Sequence, residues 1–299
     1  MILPNENIFL GQLPSDAKPK MALFLSGAGS NAEKLLSTPE VMESVTPKVL
    51  VTDAPEKSRA REIGRLYNLP VVELSIRDFY RQHGLNTISL ATPEGRSVRE
   101  LWTGKLREQL QKYSIDLGIL AGFEPLSNIT DDFICLNVHP GDLTKVDADG
   151  NRMYIGLHSK PIEKAILAGE TALRSSVIIA KSFANASQDM DNGLLLGISP
   201  PMPLDLQGFS LEKLQNIYQQ RQGNKPMQGW QDALEKIAHQ AQEQLKFSGD
   251  HFILPLVVRD IARRRFAYHQ NTLYYRADSS GEFYPVRNLE YQINGLRKI

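Results

Sequence analysis

Met21-Ala22-Leu23-Phe24-Leu25-Ser26-Gly27-Ala28-Gly29-Ser30-Asn31 reads as an apolar strand, a small-residue loop and the start of a helix. Five apolar residues in succession, without alternation, indicate a strand buried on both faces. Helices crossing between parallel strands supply that cover, so the stretch predicts an α/β layout. The pattern repeats outward. Strands are expected at 48–52, 71–74, 117–122, 132–138 and 177–180, with helices at 57–67 and 97–113 between them. The fold expected is Rossmann-like: a mostly parallel sheet with helices on both faces. Past the stiff Pro200-Pro201-Met202-Pro203 link the pattern loosens. Residues 210–246 read as helical with a break near 223–226, 252–266 as a helix, and 272–286 as a closing hairpin around Asp278-Ser279-Ser280-Gly281.

The loop Ser26–Asn31 suits an anion. Gly27 and Gly29 let backbone N–H groups approach it, the helix N-terminus adds partial positive charge, and Ser30 and Asn31 can donate or cap. It lacks both the Gly-Lys-Ser/Thr ending of a P-loop and the third glycine of a dinucleotide fingerprint. A tight turn with a helix cap is the plainer account of the same residues.

Leu136-Asn137-Val138-His139-Pro140 is the second informative stretch. In a strand Asn137 and His139 project to one side, and Pro140, unable to join the ladder, ends it. A carboxamide and an imidazole then stand at a strand's C-terminal end, where open α/β sheets bind ligands. Such a pair can stabilise an oxyanion; strand-end polar groups satisfied by neighbours would look the same. Asp189-Met190-Asp191-Asn192-Gly193 is a turn by composition. A carboxylate carried from it to His139 would orient the ring and favour imidazolium. His158, in Gly156-Leu157-His158, is either a second polar group near His139 or an ordinary loop histidine. Residues 146–152 have the wrong spacing for a calcium loop and read as a polar hairpin tip. Arg259, Arg263, Arg264 and Arg265 read as a solvated helix face, with a phosphate-rich partner as the alternative.

The totals exclude several classes. The chain has 299 residues, and 34 Lys plus Arg balance 34 Asp plus Glu. That disfavours a dedicated nucleic-acid or anionic-membrane surface. Cys135 is the single cysteine, so no internal disulfide and no cysteine-rich metal site is expected, and a reducing cytoplasm fits. No signal-peptide pattern opens the chain and no apolar run reaches a membrane span.

Together these motifs resemble the folate-dependent formyltransferases, the glycinamide ribonucleotide branch above all. Ser26, Gly27, Gly29, Ser30 and Asn31 match a Ser-Gly-x-Gly-Ser-Asn loop, and Leu120-Ala121-Gly122-Phe123 a Leu-Ala-Gly-Phe strand end. Asn137-Val138-His139-Pro140 and Gly156-Leu157-His158 are similar to the family's Asn-x-His-Pro and Gly-Leu-His. Met190-Asp191-Asn192-Gly193 resembles its Leu-Asp-Gly-Gly, and Asp250-His251 to Pro255 its Glu-His-x-x-Tyr-Pro. All fall in family order between residues 21 and 299.

The resemblance implies roles. Asn137, His139 and Asp191 would be the catalytic trio. Gly27, Gly29, Ser30 and Asn31 would hold a substrate phosphate, Asp250 would meet its ribose, and His158 would stand near it. Leu120, Phe123, Leu126, Ser187 and Asp189 would border the folate. 10-Formyltetrahydrofolate would be the co-substrate, without a metal, and a phosphorylated small-molecule amine the acceptor, glycinamide ribonucleotide first. The resemblance leaves a homo-oligomer open. It divides the chain into an irregular leader (1–20), the formyltransferase core (21–207), a helical insertion (208–249), and a C-terminal helix and hairpin completing the same domain (250–299). Three departures fall beside the expected cleft. Glu124-Pro125 replaces the family's Met-Arg, Gly141-Asp142-Leu143-Thr144 replaces Ser-Leu-Leu-Pro, and 145–155 is longer than expected. A formyltetrahydrofolate hydrolase, a sugar-nucleotide formyltransferase and a catalytically silent homologue remain as alternatives. Methionyl-tRNA formylation is disfavoured by the neutral charge and the want of a recognisable RNA-binding barrel.

Overall fold

In the computed structural model the first apolar stretch is β1 (Lys20–Phe24), at the heart of a nine-stranded sheet. The structure describes all residues except 2, 183–189, 224, 227, 279, 280 and 299. On one side of β1 lie β2 (Thr46–Thr52) and β3 (Val71–Glu73); on the other lie β4 (Leu117–Leu120) and β5 (Ile134–His139), all parallel. The side chains of β1 alternate faces, as strand geometry requires. Met21 and Leu23 enter one core with Ala32 and Leu35 of helix α1 (Ser30–Leu36); Ala22 and Phe24 enter the other with Tyr80 and Trp102. Both faces are therefore covered. Short α2 (Pro39–Met42) and α3 (Ala60–Tyr67) complete the first crossovers, and α4 (Ile76–Gln82) and α5 (Pro93–Leu110) the long one that carries the chain back past β1. The strand order reverses at β1, so the crevice opens at the C-terminal ends of β1 and β4.

Beyond β5 the sheet changes sense. Helix α6 (Lys160–Leu167) and the two-residue strand β6 (Ala172–Leu173) lead to β7 (Ser176–Ile179), which runs antiparallel to β5, as β8 (Leu194–Ile198) does to β7. A parallel return needs a connector packed back along the sheet. Here Ile162, Ala165 and Ile166 of α6 turn instead into a third core with Leu214 of α7 (Leu211–Gln219) and Leu234, Ile237, Ala238 and Ala241 of α8 (Ala233–Leu245). The chain therefore re-enters the sheet from the end at which it left. Residues 208–249 share that buried cluster with α6. Strand β9 (Met202–Pro203) pairs with β6.

A π-helical turn, Lys246–Asp250, joins α8 to α9 (His251–Ala262). This helix stops short of Phe266, where a longer one was expected. Arg264 adopts a left-handed φ of 54°, and Phe266 opens β10 (Phe266–His269). The expected hairpin is present as β11 (Thr272–Tyr275) and β12 (Tyr284–Val286), with β10 on its other edge. The chain then goes further than a hairpin: β13 (Leu289–Gln292) joins the central sheet parallel to β8, and β14 (Gly295–Lys298) closes the edge.

Of the arginine cluster only Arg263 is exposed, and all four arginines have protein partners, so the cluster is not an open basic patch. Arg259 and Arg265 pair with the fully buried Asp260, Arg263 donates to Ser44 Oγ, and Arg264 donates to the carbonyls of Leu10, Pro14, Ser15 and Ala17. These bonds dock the N-terminal segment, where Leu3 and Ile8 pack on Ala267 and Phe283. Among the described residues no helix is long and apolar enough to cross a membrane.

Candidate active site

β5 delivers Asn137 and His139 to the crevice on one side of the strand, as their spacing required. His139 is 3% exposed and Asp191 7%. Asp191 arrives on a 3-10 turn, Met190–Asn192, just before β8. One carboxylate gathers the group. Asp191 Oδ1 accepts from Asn137 Nδ2 at 3.4 Å and lies 3.3 Å from His139 Nδ1, while Oδ2 accepts from the Gly156 N–H at 3.3 Å. The other ring nitrogen of His139, Nε2, donates to the Tyr154 carbonyl at 2.6 Å. Both ring nitrogens thus face acceptors, a pattern that imidazolium satisfies at both ends. His139 reaches an oxyanion only by giving up the Tyr154 carbonyl; the half-buried Asn137, held by a long bond, turns more readily.

The lengthened 145–155 segment builds this arrangement. Val146 bridges Arg152, making the expected hairpin tip, and Arg152 donates to the carbonyls of Asp191 and of Gly193. It clasps the turn that carries the carboxylate. Burial pushes the Arg152 guanidinium below its usual range, and Asp191 acts against that. Gly141, one of the departures, has a packing reason. A Cβ there would lie 2.6 Å from the Tyr154 carbonyl and 3.0 Å from His139 Nε2. Only glycine lets the hairpin carbonyl approach the ring so closely.

The cleft has a volume of about 230 Å³. Asn31, Glu124, Asn137, His139, Asp191 and Asp250 supply polar groups to its wall, with Phe123 and Leu157 among the apolar ones. His158 also lines it, exposed and with a left-handed φ of 58°. Asp250 is buried. Ser175 Oγ donates to its Oδ1 at 2.5 Å and Asn31 Nδ2 to its Oδ2 at 3.3 Å. Burial raises the Asp250 carboxyl above its usual range, against these donors and the charge of His139. Oδ1 of Asn31 is buried without a hydrogen-bond partner among the described residues.

The glycine loop divides its labour. Gly29 is the N-cap of α1 with φ 69° and no side-chain cap, so the first-turn N–H groups face outward unsatisfied by a side chain. Ser26 serves the frame instead. Its Oγ donates to Asp53 Oδ1 at 2.5 Å and accepts from the Glu124 N–H at 2.9 Å, tying the ends of β1, β2 and β4 together. Of the residues expected around the folate, Phe123 reaches the cleft, with its ring also against Phe24 and Trp102. Leu120 is 1% exposed and its side chain belongs to the core, leaving only its backbone to meet a ligand. Leu126 packs at the edge of the same core. Ser187 and Asp189 lie outside the described residues.

Gln242 and Lys246 in the wall were not anticipated. Their spacing of four places them on one helical face, a signal present in the sequence but shared with any solvated helix. Arg152, Tyr154 and Ser175 carried no signal at all.

Asp53 gives a pH prediction. Burial, the largest cause, pushes its carboxyl up to about 6 from 3.8, and the Ser26 hydrogen bond only partly offsets this. The folded state then holds a proton that the unfolded chain releases. Asp53 therefore adds stability below about pH 4, and that contribution is lost as pH rises through about 6. Asp53→Asn should flatten this part of the profile. Urea midpoints at pH 4, 5, 6 and 7 measure it; an unchanged wild-type slope in the variant would remove Asp53 from the account.

No protein-family profile and no curated protein sequence matches the chain. Solved structures do. Phosphoribosylglycinamide formyltransferase from Coxiella burnetii superposes with a TM-score of 0.58 at 17% identity, over 92% of this chain and 100% of that one. The enzyme of the same description from Anaplasma phagocytophilum gives 0.55 at 18% identity, over 92% and 100%. Formyltetrahydrofolate deformylase from Burkholderia mallei gives 0.51 at 12% identity, over 88% of this chain and 72% of that one. At these identities the likeness establishes the fold: a mixed, mostly parallel sheet of the kind found in the folate-dependent formyltransferases.

Proposed function

We propose that the cleft transfers a formyl group from 10-formyltetrahydrofolate to the amine of a phosphorylated small molecule, glycinamide ribonucleotide being the first choice. The observation that carries this reading is the convergence of Asn137 and His139 on the Asp191 carboxylate at the C-terminal end of β5. The fold it sits in, shared with formyl-transferring and formyl-releasing folate enzymes, supports it. The neutral amine attacks the formyl carbon. Asn137 Nδ2 donates to the developing oxyanion, and the imidazolium of His139 adds positive charge beside it. Asp191 takes the proton from the attacking nitrogen through a water, and collapse of the tetrahedral adduct expels N10 of the folate, which receives the proton. The products are a formamide and tetrahydrofolate. Gly27, Ser30 and Asn31 would meet the acceptor's phosphate with N–H groups of the α1 turn. Asp250 would accept from a ribose hydroxyl, and Phe123 with the Leu120–Leu126 backbone would border the folate.

An acceptor screen with 10-formyltetrahydrofolate tests the reading. Tetrahydrofolate release that depends on glycinamide ribonucleotide supports it. Formate release without any amine would make the protein a hydrolase, and no turnover with tight folate binding would make it a silent binder. The phosphate assignment is tested at Gly27, where an added Cβ meets nothing within 4 Å. At Gly29 the same change would bring a Cβ to 2.6 Å from Ile63 and Leu25 at a left-handed φ of 69°, so its effect would be structural. Gly27→Asp should raise the KM for the phosphorylated acceptor about tenfold or more, through repulsion at short range, and leave that for folate nearly unchanged. Equal weakening of both would count against a phosphate at this loop.

A further inference from the structure

A second cavity lies away from the cleft, about 500 Å³ against about 230 Å³. It sits between α6 of the core and, from the 208–249 segment read as an insertion, α7 and the chain leading to α8. Its frame is rigid. Arg221, with a side chain 7% exposed, is held by Glu163 at 2.6 Å and Asp232 at 2.9 Å. Its guanidinium lies 5.6 Å from the centre of the Tyr218 ring and 5.3 Å from that of Trp230, so one buried cation fixes both aromatic rings. Tyr218 nevertheless remains 51% exposed. Arg221 is fully engaged by carboxylates, and Lys225 pairs with Glu235 at 2.7 Å. Lys160 and Lys164 of α6, also in the lining, are different: neither has a carboxylate partner among the described residues, and Lys164 Nζ donates to the Ile155 carbonyl. The cavity lining therefore combines two aromatic rings held by Arg221 with two lysines of α6 that have no carboxylate partner among the described residues. Its volume is within the usual range for small-molecule sites.

We propose that this cavity binds a flat heteroaromatic ring carrying a phosphate, a nucleoside monophosphate being the matching class. The base stacks on Tyr218 and Trp230, and the phosphate lies between Lys160 and Lys164. Stacking accepts any base because each has a π-face, and lysine answers phosphate as a point charge. The site stands apart from the formyl-transfer reading, because none of these four residues touches the Asn137–His139–Asp191 group.

The test uses the full chain and AMP, with adenosine, inorganic phosphate and p-aminobenzoylglutamate as separate arms. The protein has two tryptophans, and the buried Trp102 lies against Phe123 of the cleft wall, so a ligand-induced emission change that Trp230→Phe abolishes reports Trp230. Calorimetry supplies the stoichiometry. Saturable one-to-one binding of AMP with a change in emission is expected, stronger than adenosine or phosphate alone. Tyr218→Ala and Lys160→Glu should each weaken it about tenfold or more, and Gly27→Asp should leave it unchanged. Four results would overturn the proposal: no saturation by AMP, indifference to both cavity variants, loss in Gly27→Asp, which would move AMP to the cleft, or phosphate binding as tightly as AMP. A preference for p-aminobenzoylglutamate over AMP would replace the phosphate with a carboxylate and overturn the nucleotide assignment.

Discussion

Asp191→Asn should lower single-turnover formyl transfer by about two orders of magnitude or more, the scale of a lost acid–base group. Among the described residues the carboxylate meets Asn137 Nδ2, the Gly156 N–H and the His139 ring. A carboxamide keeps the shape but must turn its NH2 toward one of these donors, and it no longer supports imidazolium at His139. Folate affinity should change far less, because Phe123 and the Leu120–Leu126 backbone, proposed to border the folate, follow β4 rather than the turn that bears Asp191. His139→Ala should be comparably damaging. The double variant should fall well short of the product of the two losses, since groups acting as a unit are non-additive. Wild-type turnover in Asp191→Asn, or losses that simply multiply, would return residues 190–193 to an ordinary turn.

The largest loss of stability is expected at Asp260, far from the cleft. Its carboxylate is 0% exposed and meets Arg259 at 2.9 Å, Arg265 at 3.0 Å, the Tyr275 hydroxyl at 3.0 Å and the Tyr291 hydroxyl at 2.9 Å. Burial and this charge push both phenols well above their usual range, so both act as donors. One side chain thereby ties α9 to β11 and to β13 of the central sheet. Asp260→Ala leaves two guanidinium groups and two hydroxyls without their acceptor. It should cost about 3–5 kcal/mol, the usual penalty for breaking a buried pair from one side. Urea unfolding at neutral pH measures this. A loss below about 1 kcal/mol would show that water replaces the carboxylate and that the tie is weak. Asp191→Asn, by contrast, should leave the midpoint close to that of the wild type, separating chemistry from folding.

The fold class was legible because burial on both faces leaves a plain mark, and runs such as Met21–Leu25 admit few other readings. The placement of Asn137 and His139 was equally legible, since strand alternation and the proline fix it within five residues. Asp191 could be nominated from its turn and from the resemblance, but not brought to His139 by sequence, because 52 positions separate them.

The rest depended on long-range packing. Four neighbouring arginines looked solvated; their true partners are Asp260, Ser44 and the carbonyls of the N-terminal segment, and nothing in local spacing encodes contacts some 220 to 250 residues away. The antiparallel re-entry of β7 was hidden for the same reason, since it follows from α6 burying its apolar stripe on α8. Gly141 and Arg152 looked like departures from the family pattern. In the folded chain Gly141 gives the Tyr154 carbonyl room beside the ring, and Arg152 clasps the turn that bears Asp191. By itself the sequence determined which strands are buried and which polar groups stand at their ends, because both follow from neighbours within a few residues. Only the tertiary structure decided which carboxylate meets which ring, because that contact is made by elements joined through the core rather than through the chain.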